Sequence, residues 1–316
     1  MPRTRMKSMI VRLHKAAMGI LEVAAPRLGA RWVDRIWFSV PPPRRSITSN
    51  APADGAPFEL TVGGATVRGR RWGENEKIIY LVHGWGSSGA QLSAFVEPLL
   101  DAGFSVVAHD ALSHGRSDPG PSGPRRSNAL EHREVLEAVV AAHGPAHGIV
   151  AHSLGSMVAA LAMRDGILPD RAVYIAPMTD ITSYGEPFTR MLGAGPRTWA
   201  EFVKRVDRRF GLTFSYFDLV PMADELATPP LLIVHDRNDQ ETSWETSRTL
   251  ASKWPNTRLL STTGLGHNRI LSDPAVVSAV LAFLCGEDVA NHPDAPRLTI
   301  AGGQDPSVHS PATGRR

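Results

Sequence analysis

The chain has 316 residues, 42% of them hydrophobic and 21% charged, with a formal net charge of +3 and one cysteine, Cys285. That composition is ordinary for a soluble globular chain; a lone cysteine allows no internal disulfide and suits a reducing, cytoplasmic setting. No apolar run reaches the roughly 18 residues of a membrane span, no His, Cys or acidic spacing matches a metal site, and no basic stripe interleaved with aromatics points to nucleic acid.

The charge is unevenly spread. Residues 1–45 hold ten Arg or Lys against only Glu22 and Asp34, so the remainder is net negative and the pI near 9.2 describes this amino-terminal arm. Met6, Met9, Ile10, Leu13, Ala17, Ile20, Leu21 and Ala24 recur at three- and four-residue spacing, with Lys7, Arg12 and Lys15 largely elsewhere on the wheel. This predicts a basic amphipathic helix over 6–24. Arg12, His14 and Lys15 interrupt any signal-peptide core. A second apolar cluster, Trp32, Val33, Ile36, Trp37 and Phe38, precedes the stiff linker Pro41-Pro42-Pro43-Arg44-Arg45. Such an arm either packs on the body or a second subunit, or makes peripheral contact with an anionic membrane surface.

Phe58–Val62 and Ala65–Trp72 flank Gly63-Gly64 and predict a β-hairpin with a two-residue turn. Ile78–Val82 is a continuous apolar run, as expected of a central parallel strand, and ends at His83-Gly84-Trp85-Gly86. A helix is predicted from Gln91 to Leu100 and a strand from Phe104 to Ala108, followed by Asp110-Ala111-Leu112-Ser113-His114-Gly115-Arg116-Ser117. A helix over Ala129–Ala142 leads to a short strand, Ile149–Ala151, then His152-Ser153-Leu154-Gly155 and a further helix. Strands follow at Ala172–Ala176, Leu231–Val234 and Arg258–Leu260, and Asp273-Pro274 opens a last helix to Leu284. Alternation of this kind predicts an α/β fold, a mostly parallel central sheet with helices on both faces.

About fifty residues separate the strands at Ala176 and Leu231, too many for a plain connection, so residues 178–226 are read as a small helical cap inserted into a core of 46–177 and 227–285. Thr198-Trp199-Ala200-Glu201 reads as a capping box. The helix it opens carries Trp199, Phe202, Val203, Val206 and Phe210 on one face. Residues 286–316 lack periodicity and read as a disordered tail.

Ser153 sits where a strand turns directly into a helix, with Ala151 and Gly155 two residues to either side. That spacing forces the serine into strained backbone and lifts its hydroxyl to the positive end of the helix. In sequence the motifs run HGWG, D-x-x-x-H-G-x-S, A-H-S-L-G, an Asp after a late strand, and Gly-His before the last helix. This order resembles the α/β-hydrolase family, over roughly residues 58–284.

The resemblance implies a Ser-His-Asp triad and no cofactor or metal. Ser153 would be the nucleophile, His267 the general base, and Asp239 the acid that orients it. Asp236 would take the turn position just after the strand, and Glu241 would add negative charge beside the pair. The backbone N–H groups of Leu154 and Trp85 would form the oxyanion hole. His83, Asp110, His114 and His152 are expected to hold loops together. The Trp85 side chain, Phe202 and Phe210 are expected to line a substrate pocket. The implied activity is hydrolysis of a small-molecule carboxylic ester through an acyl-enzyme. A single-helix cap would favour short to medium acyl chains. A thioesterase or peptidase with the same triad, and a silent hydrolase-fold binding protein, are the alternatives. Serine at the elbow argues against the aspartate-nucleophile branches.

Overall fold

The structure, a computed structural model, describes residues 2–42, 50–226, 228–287, 289 and 299–301. The arm is two helices, α1 (Pro2–Ala24) and α2 (Pro26–Trp37). The hairpin β1 (Ala56–Val62) and β2 (Ala65–Trp72) follows, with Val62 paired to Ala65 across the turn. Then come β3 (Ile78–Val82), α3 (Val96–Asp101), β4 (Ser105–Asp110), α4 (Ala129–His143), β5 (Ala146–His152) and α5 (Leu154–Arg164). After β6 (Arg171–Ile175) the cap supplies α6 (Ile181–Met191) and α7 (Pro196–Phe210). The core resumes with β7 (Leu231–Asp236), α8 (Trp244–Lys253), β8 (Thr257–Thr262), α9 (Gly266–Arg269), α10 (Pro274–Leu284) and a short β9 (Thr299–Ala301).

The strands form one sheet in the order β1-β2-β4-β3-β5-β6-β7-β8-β9. The six strands from β4 to β8 are parallel, and β1, β2 and β9 run antiparallel at the edges. Every residue of β3, β4 and β7 is buried, which is why those runs carry no alternation. One face buries Phe95, Val96, Leu99, Val276, Val280 and Phe283 from around α3 and α10. The other buries Leu136, Val139, Met157, Leu161, Leu250 and Trp254 from α4, α5 and α8.

Four expectations are corrected. The helix over Gln91–Leu100 is a 3₁₀ turn, Gly89–Phe95, followed by the short α3, with Leu92 off helical angles between them. Pro98 falls in the first turn of α3, where a missing N–H leaves no bond unmade. The cap holds two helices rather than one main one; α6 forms despite Pro187, opened by Asp180, whose carboxylate accepts the Ser183 N–H. The capping box at Thr198 is not used, because α7 starts earlier, at Pro196 with Gly195 as N-cap. Its free N–H groups are met from outside: Glu22 of α1 accepts from Gly195, Arg197 and Thr198. Lastly, most of the tail read as disordered over 286–316 lies outside the described residues, but Thr299–Ala301 pairs with β8 as a strand.

The arm is therefore seated on the cap. Met18, Ala30, Val33 and Phe38 share a buried cluster with Ala194, Phe202, Val206 and Phe214. Asp34, 6% exposed, bonds Arg126 at 3.2 Å and Arg205 at 3.2 Å.

Candidate active site

β5 lies mid-sheet, and its C-terminal end delivers Ser153 at φ 54 and ψ −120, left-handed backbone that few non-glycine residues adopt. The turn is pinned on both sides: Ser153 N–H donates to Ile175 O at 3.0 Å, and Ser153 O accepts from Met178 N–H at 3.1 Å. Gly155 admits no side chain, since a Cβ there would stand 2.4 Å from Val82 O. α5 can thus start hard against the end of β3. Gly84 is held as tightly on the other side, where a Cβ would lie 3.0 Å from the Ser153 Cβ.

The next residue along, Trp85, offers a backbone N–H that no acceptor among the described residues takes. Leu154 N–H opens α5 and so has no partner inside the helix. Two unmet donors thus flank the serine.

His267 lies in α9, in the loop region after β8, and is 8% exposed. Its Nδ1 meets Asp239 Oδ2 at 2.7 Å. Asp239 follows β7, and its side chain is fully buried. Burial works against its ionisation, but hydrogen bonds from His235 and His267, with the His267 charge and the Glu241 N–H, hold it well below the usual carboxylate range. Asp236, also fully buried, accepts from Thr262 Oγ1 at 2.7 Å and from Leu265 N–H at 2.9 Å. It fixes the loop that carries His267 and does not touch the imidazole.

Around these residues lies a cavity of about 690 Å³, within the range of small-molecule sites. Trp85, Ser153, Leu154, Phe210, Glu241 and His267 are among its lining residues. Phe202 is not among them. It is fully buried behind the wall, against Trp37, Trp199 and Phe214, because the arm covers the face of α7 that would otherwise turn inward.

The pattern of the alpha/beta hydrolase family matches residues 79–310 of this chain. The chain belongs to the α/β-hydrolase family.

No curated protein sequence matches this hydrolase. Among solved structures it is similar to an esterase from Pyrococcus furiosus at 18% identity, with a TM-score of 0.59 over 79% of this chain and 98% of that one. An esterase from a Rhodococcus species gives 18% identity and a TM-score of 0.55 over 74% and 100% of the two chains. A membrane phospholipase A, described as a bacterial virulence factor, gives 18% identity and a TM-score of 0.57 over 92% and 100%. Likeness at these identities is one of fold.

Four residues surround the His267–Asp239 pair, of which His235 and Thr242 were not expected from the sequence. His235 Nε2–H donates to Asp239 Oδ2 at 3.2 Å, so one carboxylate serves two imidazoles. Thr242 Oγ1 donates to the same carboxylate at 3.1 Å. Glu241 Oε2 stands 3.8 Å from His267 Nε2, the face of the ring opposite Asp239. His152 donates from Nε2 to His267 O at 2.9 Å, holding α9 against the elbow. His83 likewise ties loops together, with Nε2 accepting Ala111 N–H at 3.0 Å. Asp110 accepts the N–H groups of Gly89 and Arg116. His114 bonds Leu112 O. The arm also enters the wall, through Ile36, Trp37, Phe38 and Pro41. No group of acidic, His or Cys residues among those described has the arrangement of a metal site.

Proposed function

We propose that this hydrolase cleaves carboxylic esters of short to medium acyl chain through an acyl-enzyme. The single observation that carries the reading is the strained Ser153 opening onto a largely apolar cavity whose wall holds His267, hydrogen-bonded to a buried, ionised Asp239.

An ionised Asp239 accepts the Nδ1–H of His267, which leaves Nε2 with its lone pair free to act as base. Ser153 Oγ adds to the ester carbonyl carbon as its proton passes to Nε2. The carbonyl oxygen becomes the oxyanion, received by the Leu154 and Trp85 N–H groups. On collapse the C–O bond to the alcohol breaks, and the alcohol leaves with the proton from Nε2. A water molecule then adds to the acyl-enzyme by the same route, releasing the acid and restoring Ser153. Glu241, beside Nε2, favours the imidazolium that forms in each half-reaction.

The wall beyond the serine is built from Met178, Ile181, Phe188, Phe210, Phe214 and Phe217, side chains that reward an acyl chain rather than a charged or peptide group. Each methylene buried there is worth about 0.8 kcal/mol, roughly fourfold in kcat/KM. The test is a fluorophosphonate probe together with p-nitrophenyl esters of rising chain length. Labelling lost in Ser153→Ala, with kcat/KM climbing and then levelling at medium chains, is the expected result. Labelling that persists in Ser153→Ala rejects the nucleophile, and rates flat with chain length reject the acyl pocket.

A further inference from the structure

The arm carries apolar residues on two opposite sides, and only one of them is used. Met18 faces the cap at 2% exposure, with Leu21 beside it. Met9, Leu13, Ile20 and Val23 project the other way at 56%, 62%, 68% and 73% exposure. Their spacing of four, seven and three residues keeps them in one line along α1. On α2, Leu28 and Trp32 are also exposed, 51% and 45%, with the Trp32 ring 5.7 Å from that of His14 on the flank of α1. Six of the nine most exposed large apolar side chains among the described residues therefore lie on this arm. Single exposed apolar residues are ordinary, whereas a continuous row of them is not.

The charges decide what covers the row. Arg12 and Lys15 of α1 and Arg31 and Arg35 of α2 are exposed, while Arg27 pairs with Glu201 of α7 at 3.4 Å. The arm's two acids are both turned away: Glu22 is spent on the N-terminus of α7, and Asp34 is buried among Arg126 and Arg205. The arm's own exposed charges are thus all basic, alongside the apolar row. A second copy of the chain docking on the same face would set these cations against their own kind. An anionic lipid surface accepts both features at once, taking the apolar row into the acyl boundary and the cations at the headgroups.

We propose that the outer face of α1 is a docking surface for an anionic bilayer, with α1 lying in the plane of the interface. No helix among the described residues is long and apolar enough to cross a membrane, so the contact is peripheral. The same arm lines the cavity through Ile36, Trp37 and Phe38, so the docking helix and the pocket wall belong to one segment of chain. The docking surface stands whether or not the catalytic assignment does, since binding is measured without turnover.

The experiment is flotation of the full-length protein with phosphatidylcholine vesicles, alone or with a minor share of phosphatidylglycerol, at low and high salt. Wild type is expected to float only with the anionic vesicles and to be released in part by salt. Leu13→Asp combined with Ile20→Asp should weaken vesicle binding about tenfold or more, as two buried apolar side chains are lost. Melting temperature and soluble-ester turnover should stay near wild type, because both positions are exposed. Arg12→Glu with Lys15→Glu should remove the preference for anionic lipid. The salt titration of wild type gives a reading that depends on no variant. Absence of flotation with anionic vesicles overturns the proposal. So does a lipid-free dimer that the Leu13 and Ile20 substitutions convert to monomer, which would make the row a subunit interface.

Discussion

His83, His109, His114 and His132 are buried together under the Trp85 loop, and His152, His235 and His267 are buried together around the serine. Ring spacings are alike, 4.5 Å between His114 and His132 and 4.6 Å between His152 and His267. The difference is a carboxylate bonded to the rings: Asp110, near His114, is spent on the N–H groups of Gly89 and Arg116. Asp239 sits inside the second group, bonded to two of its rings. In the first group burial pushes the pKa of His83 down to about 4, and burial with the neighbouring His83 takes His109 and His114 to about 3. Ring nitrogens of His109, His114 and His132 find no partner there, and His152, the one ring of the second group that Asp239 does not reach, behaves as they do, with Nδ1 unpartnered and burial lowering its pKa to about 3. A buried imidazole without an acid bonded to it is a neutral packing group. Next to an ionised acid it becomes a place where a proton can be taken up and returned.

The sharpest way to break this contrast is to remove one ring from each group. His267→Ala should cost several powers of ten in kcat/KM with the fold intact, as loss of a triad base does. His132→Leu should leave kcat/KM within a few-fold. Equal losses in the two variants would erase the distinction.

The carboxylate itself comes next. Asp239→Asn is expected to lower kcat by about 10⁴, since an amide favours the wrong His267 tautomer. Asp236→Asn should instead lower the melting temperature and cost activity only indirectly, because Asp236 holds the loop through Thr262, Leu265 and Gly264. The reverse ranking in a kinetic and thermal comparison would transfer the acid to Asp236.

Acid stability tests the neutral group. These histidines, and His152 with them, have folded pKa values below their ordinary 6.5, so the unfolded chain binds more protons across that gap. Stability should therefore fall as pH drops from about 6.5 toward 4, by up to about 1.4 kcal/mol per ring per pH unit, and His132→Leu should flatten the slope. Asp239 acts in a separate window. Its folded pKa is depressed, so its contribution is complete above the ordinary 3.8 and is lost only below it. Thermal melts from pH 7 to 3 separate the two. A flat profile between pH 6.5 and 5 would contradict the neutral state of the first group.

The smallest catalytic effects concern the wall. Phe210→Ala should shift the preferred acyl length by a methylene or two while leaving p-nitrophenyl acetate turnover similar. Phe202→Ala should leave chain-length preference alone and cost about 3–5 kcal/mol of stability, read by denaturant unfolding.

Much of this was legible in the sequence. The unbroken apolar runs at Ile78–Val82 and Leu231–Val234 announce strands buried on both faces, and the spacing around Ser153 announces the elbow. Asp239 was separable from Asp236 through the family resemblance. Other features left little trace in local pattern. His235 looks like the last residue of an apolar strand, and only the chain's return through Asp239 makes it a partner of that acid. Phe202 and Phe210 share one stripe on α7, and which of them meets the cavity depends on α2, more than 160 residues away in sequence, covering the other. The arm's role in the pocket wall was hidden for the same reason. Periodicity reports that a face is apolar, not what will cover it.

The link from Glu22 to Thr198 spans 176 residues. At ribosomal rates of about 5–20 residues per second, roughly 10–35 s separate the appearance of the arm from that of the helix whose end it completes. Through that interval the arm lacks the face of α7 on which its buried residues are seated. The roof of the pocket thus cannot close until most of the chain has been made, and the order of synthesis sets the earliest moment at which the site exists.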